Sequence, residues 1–269
     1  MINGSKIRNM NNTLLKGLAV LELLSRSDRP LNLTQIGKEL SIGKSNVHRL
    51  MQALVETHFV LRDDESNAYV PSIKLWELGS AVLAKLDLRR HAERQMEALM
   101  AHTGESVHLS VLDGAEVVYV HKVDSANPVR AYTQIGGRAP AYCVATGKVQ
   151  LAYRTPSLLQ EVATTLRQHT DRTITDPNTF LREMKKVRGQ GYAINRAEWR
   201  DDVWGIAAPV MDARGSVIAA VGISGPAVRF RKTVIGPWAE AVMATAADVS
   251  QALGGNRPLG LSQMRFGPG

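Results

Sequence analysis

The chain has 269 residues, of which 44% are hydrophobic and 22% charged, and it carries a formal net charge of +8. That length builds one large or two modest domains, and the positive balance suits a polyanionic partner, although a basic surface can also serve solubility alone. One cysteine, Cys143, excludes an intramolecular disulfide and points to a reducing compartment. No apolar run approaches the roughly 20 residues of a membrane span, and the Asn- and Lys-bearing first residues lack the apolar core of a signal peptide, so a cytoplasmic location is expected.

Residues 1–12 are polar and are expected to fray. Leu14, Leu15, Leu18, Leu21, Leu23 and Leu24 then form a helix that supplies one wall of a small core and ends near Asp28-Arg29-Pro30. From Thr34 to Val60 the sequence reads as two short helices joined by a tight turn. Ile36 and Leu40 are the apolar stripe of the first; Val47, Leu50, Met51 and Leu54 repeat at the spacing that lets the second bury one face. Gly43 is expected to supply the permissive backbone of the turn, with Ile42 filling the angle between the helices. The opposite face of the second helix presents Lys44, Ser45, Asn46, His48 and Arg49, groups that donate to phosphates and base edges. Thr34 and Gln35 at the start of the first helix are placed to touch the backbone of a duplex. Phe59 to Arg62, a polar turn at 63–67, and Ala68, Tyr69 and Val70 then make a hairpin, with Arg62 in it. Helix, turn, helix and hairpin together are a winged helix-turn-helix, which implies a double-stranded DNA partner. Up to Arg62, nine basic residues stand against four acidic ones, in keeping with that.

A segment of about thirty residues follows with almost no helix breaker, and Gly79 is its expected hinge. Its stripe, Leu75, Leu78, Val82 and Leu83, is longer than one small domain buries, which favours packing on a second copy in a dimer over a plain core helix. From Gly104 the pattern becomes alternation. Val107, Leu109 and Val111 face one side and His108 and Ser110 the other, and Asp113-Gly114 turns into Val117, Tyr119 and His121. Further strands are expected at 129–133, 205–211 and 217–224, and helices at 144–153, 156–168, 177–186 and 238–253. Such an arrangement makes one α/β domain on a mostly antiparallel sheet. The Gly- and Pro-rich 255–269 is expected to be a disordered tail.

Enzymatic motifs fail on context. Arg188-Gly189-Gln190-Gly191-Tyr192-Ala193 matches a short acetyl-coenzyme A signature but follows a helix instead of a strand. Gly147-Lys148 resembles the end of a P-loop, but Tyr142 and Val149 stand where glycine and Ser/Thr are required. Nothing in the spacing brings Cys143 to His108 or His121, and the seven histidines are scattered without ligand spacing, so neither a catalytic residue, a cofactor nor a metal is expected.

Three stretches, "SIGKSNVHRLMQALVETHFV", "RAPAYCVATGKVQLAY" and "GIAAPVMDARGSVIAAVGISGP", resemble the IclR family of bacterial transcription regulators, and the likeness extends over roughly 14–253. The resemblance implies an α+β chain: a winged helix-turn-helix domain (10–73), a linker helix (74–103) and a GAF- or profilin-like α/β effector-binding domain (104–254). It implies a ligand-responsive regulator, read here as a repressor, that assembles as a dimer or tetramer, binds operator DNA and senses a small organic acid. Three departures stand out. Asn46 occupies a position where Thr or Ser is common, His58 one where Gly usually ends the recognition helix, and Asn195 one where some members use an acidic ligand contact. The first turn of a helix beginning near Thr146 is an expected carboxylate site. Matched onto the family, the pocket takes Ala139, Cys143, Ala145 and Thr146 from this loop, Asn195 and Val203 from the long loop, and Gly205 and Ser224 from the last strands. Trp199 and Trp204 are candidates to stack on an aromatic ligand. The alternative is a small-molecule sensor or enzyme whose amino-terminal domain makes only protein contacts.

Overall fold

The computed structural model describes residues 12–63, 66–86, 88–131 and 133–254, and of residues 12 and 80–86 the backbone alone. The expectations for 1–11, for the wing-tip residues Asp64 and Glu65, for the side chains of Val82 and Leu83 and for the tail at 255–269 lie outside the described residues. The chain divides into two compact units between Lys85 and Leu86.

The first unit runs α1 (Asn12–Arg26), α2 (Leu33–Leu40), α3 (Lys44–Glu56), then the hairpin β1 (Val60–Asp63) and β2 (Ala68–Pro71), then α4 (Ile73–Leu86). Its core is Val20, Leu24, Leu31, Ile36, Ile42, Val47, Leu50, Met51, Val60 and Tyr69. The leucine stripe of α1 holds only in part. Leu24 is buried and Leu21 and Leu23 pack against the core, but Leu14, Leu15 and Leu18 are exposed and Val20 takes the buried position one turn before Leu24. α2 begins where it does because of a capping box. Asn32 Oδ1 accepts the Gln35 N–H at 3.0 Å, and Gln35 Oε1 accepts the Asn32 N–H at 2.9 Å. The turn into α3 is not made by Gly43, which is extended at φ −62°, ψ 142°. Ser41 takes the left-handed conformation instead, at φ 52°. The glycine this corner requires is Gly37, where a Cβ would lie 2.9 Å from the Ile42 carbonyl oxygen. At the far end of α3, His58 adopts φ 61°, the conformation its family position usually gives to glycine.

The long helical segment is two helices, α4 and then α5 (Leu88–Thr103), one in each unit. Gly79 is no hinge: α4 runs straight through it, because one glycine costs a helix only about 1 kcal/mol and good helix formers flank it.

In the second unit β3 (Ser106–Asp113), β4 (Glu116–Val123), β5 (Arg138–Pro140), β6 (Ala193–Arg196), β7 (Val203–Met211) and β8 (Val217–Pro226) form one antiparallel sheet in the order β5-β4-β3-β8-β7-β6. α5 and α9 (Lys232–Ala252) cover one face; α6 (Ala145–Leu151) covers the other, backed by α8 (Pro177–Gln190), on which α7 (Pro156–Ala163) packs. This is the expected α+β class with a GAF-like second domain. No strand forms at 129–133: among its described residues the chain is irregular, and Arg229 Nη1 takes the Val129 carbonyl at 3.0 Å. The edge strands β5 and β6 have too few residues to show alternation. α7 stops at Ala163, short of 168, where the Thr164 and Thr165 hydroxyls turn back onto the carbonyls of Glu161 and Val162. α9 starts at Lys232, before Trp238, and holds Pro237 inside it.

Leu109 pairs with His121 but Ser110 pairs with Tyr119, so Val120 is an extra residue, a β-bulge. Tyr119 therefore shares the α6 face with Ser110, while His121 is switched to the α5 face, 3.9 Å from Glu93. The two do not share a side as simple alternation predicts. No helix among the described residues is long and apolar enough to cross a membrane.

Candidate functional sites: an outward helix face and an inward cavity

On α3 the apolar residues Val47, Leu50 and Met51 are buried, and Lys44, Ser45, Asn46, His48 and Arg49 are all exposed on the remaining surface. Gln52, also exposed, continues that face by one turn and was not singled out from the sequence. Thr34 is exposed at the start of α2, and Gln35 beside it is half-buried, its Oε1 engaged in the capping box. Arg62 is exposed in β1 and its Nη2 donates to Asn67 Oδ1, so the wing partly holds its own arginine.

On the α6 side of the second sheet lies a cavity of about 260 Å³. Six of the expected residues line it: Ala145, Thr146, Asn195, Val203, Gly205 and Ser224. Two do not. Ala139 is paired with Val117 inside the sheet, and Cys143 sits fully buried in a 3-10 turn (Ala141–Cys143), where burial pushes its thiol up to about 12. Cys143 is a core residue and no nucleophile. Trp199 lines the cavity; Trp204 packs instead against Phe230 and beneath Arg196.

The lining also contains His108, Tyr119, Arg138 and Arg200, which the sequence left unassigned. His108 had a signal, a polar residue at an inward position of an apolar strand. It is 4% exposed, its Nε2 lies 2.6 Å from Ser224 Oγ, its Nδ1 is buried without a partner, and burial lowers its pKa to about 4. It is therefore a neutral imidazole at physiological pH. Tyr119 meets it edge-on at 5.6 Å; burial raises the phenol to about 12, with the Thr146 hydroxyl and the Arg200 charge pulling the other way. Thr146 is 6% exposed, and its Oγ1 has no partner in hydrogen-bonding geometry. Arg138 is spoken for by Glu116 at 2.7 Å and Asp113 at 2.6 Å. Arg200 has no carboxylate partner among the described residues; its guanidinium lies 5.9 Å from the Trp199 ring centre.

Trp199 and Arg200 are carried by the loop between β6 and β7, which is held from below. Glu198 Oε1 and Oε2 accept from Lys148 Nζ at 2.9 and 3.1 Å, and Glu183 Oε1 lies 3.1 Å from the same ammonium, which is 1% exposed. Thr170 Oγ1 donates to the Ala197 carbonyl at 2.6 Å and Thr173 Oγ1 to that of Glu198 at 2.8 Å. Asn195, expected to meet the ligand, uses its Oδ1 to accept the Glu198 N–H at 2.8 Å and so shapes the loop. The glycines of the P-loop-like and acetyl-coenzyme A-like motifs have structural uses. Gly147 lies against Ala141, whose carbonyl oxygen a Cβ would meet at 2.3 Å, and Gly191 ends α8 at φ 80°.

Comparison with known proteins agrees with both halves of this description. A family model described as the IclR helix-turn-helix domain matches residues 13–64, and one described as the bacterial transcriptional regulator IclR C-terminal domain matches 80–251. The HTH-type transcriptional regulator KdgR of Escherichia coli (strain K12) is 34% identical over 244 residues, 90% of this chain and 92% of that protein. The HTH-type transcriptional repressor AllR of Salmonella typhi is 31% identical over 246 residues, 91% and 90% of the two chains. The crystal structure of the Thermotoga maritima IclR, 32% identical, superposes with a TM-score of 0.75 over 90% of this chain and 99% of that one. These relatives are named as regulators, not enzymes, and the chain belongs to the IclR family of bacterial transcription regulators, with a DNA-binding helix-turn-helix unit followed by an effector-binding α/β unit.

Proposed function

We propose that this regulator is a repressor that reads a two-fold operator through the exposed face of α3, and that a small organic carboxylate, aromatic by preference, occupies the cavity and alters that grip. One observation carries the effector half: a buried Thr146 hydroxyl, beside the Tyr119 phenol but with no partner in hydrogen-bonding geometry, in the same small cavity as Arg200, an exposed cation with no carboxylate partner among the described residues. A mono-anion supplies what both lack. Tyr119 and Trp199 offer ring surfaces, and Val144, Ala145, Val203 and Ile223 an apolar lining. α6 has only seven residues, so its dipole is a lesser attraction than the guanidinium. The DNA-reading face consists of Lys44, Ser45, Asn46, His48 and Arg49, with Thr34, Gln35 and Arg62 on the flanking backbone. Repression is supported by the likeness to AllR, a named repressor. Self-association to a dimer or tetramer is supported by large apolar side chains left exposed in the first unit: Leu15 and Leu18 on α1, and Ile73, Trp76 and Leu78 on α4, whereas Leu75 is half-buried.

The test is a thermal-shift screen of the full-length protein with small carboxylic acids, followed by operator binding with and without the acid that stabilises it. Thr146→Trp should fill the cavity and abolish both the shift and the response while leaving DNA binding in place. A Thr146→Trp protein that still responds would put the effector elsewhere.

A further inference from the structure

The C-terminus of α3 is closed twice. Its own chain closes it first: the Phe59 N–H reaches the Leu54 carbonyl and the His58 N–H the Val55 carbonyl, each at 2.9 Å, around the left-handed His58. The three carbonyls that follow are then taken by the beginning of α4. Lys74 Nζ donates to Thr57 O at 2.7 Å, Ser72 Oγ to His58 O at 2.5 Å, and the Ser72 N–H to Phe59 O at 3.0 Å. The same Ser72 Oγ accepts the Lys74 N–H at 3.1 Å and so caps α4, and the Lys74 ammonium lies 4.7 Å from the centre of the Phe59 ring. Three consecutive acceptors on one helix end are thus met by donors from residues 72–74, with a cation placed at the negative end of the α3 dipole.

We propose that this joint makes α3 and α4 one rigid body, so that Lys74 and Ser72 are positioning residues for DNA recognition, and a displacement of α4 is handed to the Lys44–Arg49 face without bending between the helices. Lys74, a basic residue just after the wing, would otherwise pass for a phosphate contact; its ammonium is committed to a carbonyl and a ring face. α4 is also the covalent link to the second unit, which makes this joint the place where a change there enters the reading helix. The inference rests on α3 being the DNA reader.

The experiment uses the full-length protein, a duplex selected from a random pool by the wild type, and a random duplex of the same length, each titrated over a range of salt. Lys74→Met keeps the stem over Phe59 and removes the donor. It should weaken binding to the selected duplex by about three- to tenfold, the worth of one ordinary solvent-exposed hydrogen bond, with unchanged binding to the random duplex and an unchanged salt slope. Lys74→Arg should restore it, and Ser72→Ala should lose in the same direction. An equal loss on both duplexes, with a salt slope smaller by about 1, would make Lys74 a phosphate contact and overturn the proposal. So would wild-type binding by both Lys74→Met and Ser72→Ala. Asn46→Ala, run alongside, separates the two readings: if it loses nothing on the selected duplex, the assignment of α3 as reader fails, whatever Lys74→Met does.

Discussion

The two units keep their polar chemistry on opposite sides of their cores. In the helix-turn-helix unit Lys44, Ser45, Asn46, His48 and Arg49 stand outside an apolar core and depend on it only for direction. In the α/β unit His108, Thr146, Lys148 and Glu198 lie inside, each below a tenth exposed, where every unmet hydrogen bond or charge is expensive. A nucleic-acid reader meets its partner on a convex surface and can be built from solvated groups. A small-molecule sensor must enclose its ligand and therefore carries buried polar groups when empty. The helix-turn-helix unit should accordingly tolerate changes to its functional residues, and the α/β unit should not.

The sharpest test is Lys148→Met, which leaves Glu198 and Glu183 facing each other without their cation. It should lower the stability of the α/β unit by about 3 to 5 kcal/mol in urea titration, the usual result of removing one partner of a buried pair. The double variant Lys148→Met, Glu198→Gln should recover part of the loss. If Lys148→Met unfolds with the wild type, the pair is dispensable and the contrast between the units weakens.

The next largest effect concerns acid. Burial holds His108 at about 4 against its ordinary 6.5, so as pH falls the unfolded chain takes up the proton first. The contribution is intact above 6.5 and is lost as pH falls from there toward 4, amounting to about 3 kcal/mol by linkage. His121, lowered chiefly by burial, acts in the same direction; Glu198, raised chiefly by burial, acts against it. Replacing His108 with Asn should flatten the stability profile between pH 7 and pH 5, and an unaltered slope would show that this imidazole is not the sensitive group.

The smallest effect belongs to the helix-turn-helix unit and has the opposite sign. His58 holds φ 61° at the end of α3, where glycine carries no steric cost. His58→Gly should stabilise that unit by up to about 1 kcal/mol, seen as a rise in melting temperature, with DNA binding retained. Destabilisation would mean that the imidazole contributes a contact worth more than the strain it bears.

What the sequence made legible follows the same division. The second helix of the first unit could be read because its apolar residues repeat every three or four positions and leave one polar face. The turn beside it was misjudged because Gly43 is conspicuous, while the close approach that demands Gly37 is a tertiary fact. In the second unit, six lining residues followed from the family likeness, but His108, Arg138 and Arg200 become neighbours only when strands far apart in sequence pair. His108 meets Ser224 across 116 positions, and Lys148 meets Glu198 across 50. Ala139 and Cys143 were placed in the cavity by the same family likeness, yet the 3-10 turn and the β5 pairing bury them in the core. Gly79 drew attention for its identity alone, and neighbouring residues outvoted it.

The bulge at Val120 marks where this strand can change in length. Before it, inward and outward positions of β4 follow one parity; after it, they follow the other. Loss of that one residue would restore an unbroken alternation and leave Tyr119 opposite Ser110, His121 opposite Leu109 and Lys122 opposite His108, each on the face it has now. A loop can gain or lose residues and leave the layers on either side untouched. Elsewhere in β4 a single deletion would exchange the faces of every side chain beyond it and disturb two layers at once, so lineages descending from this chain should vary in length at the 114–115 turn or at position 120 and keep the count fixed in the rest of the strand.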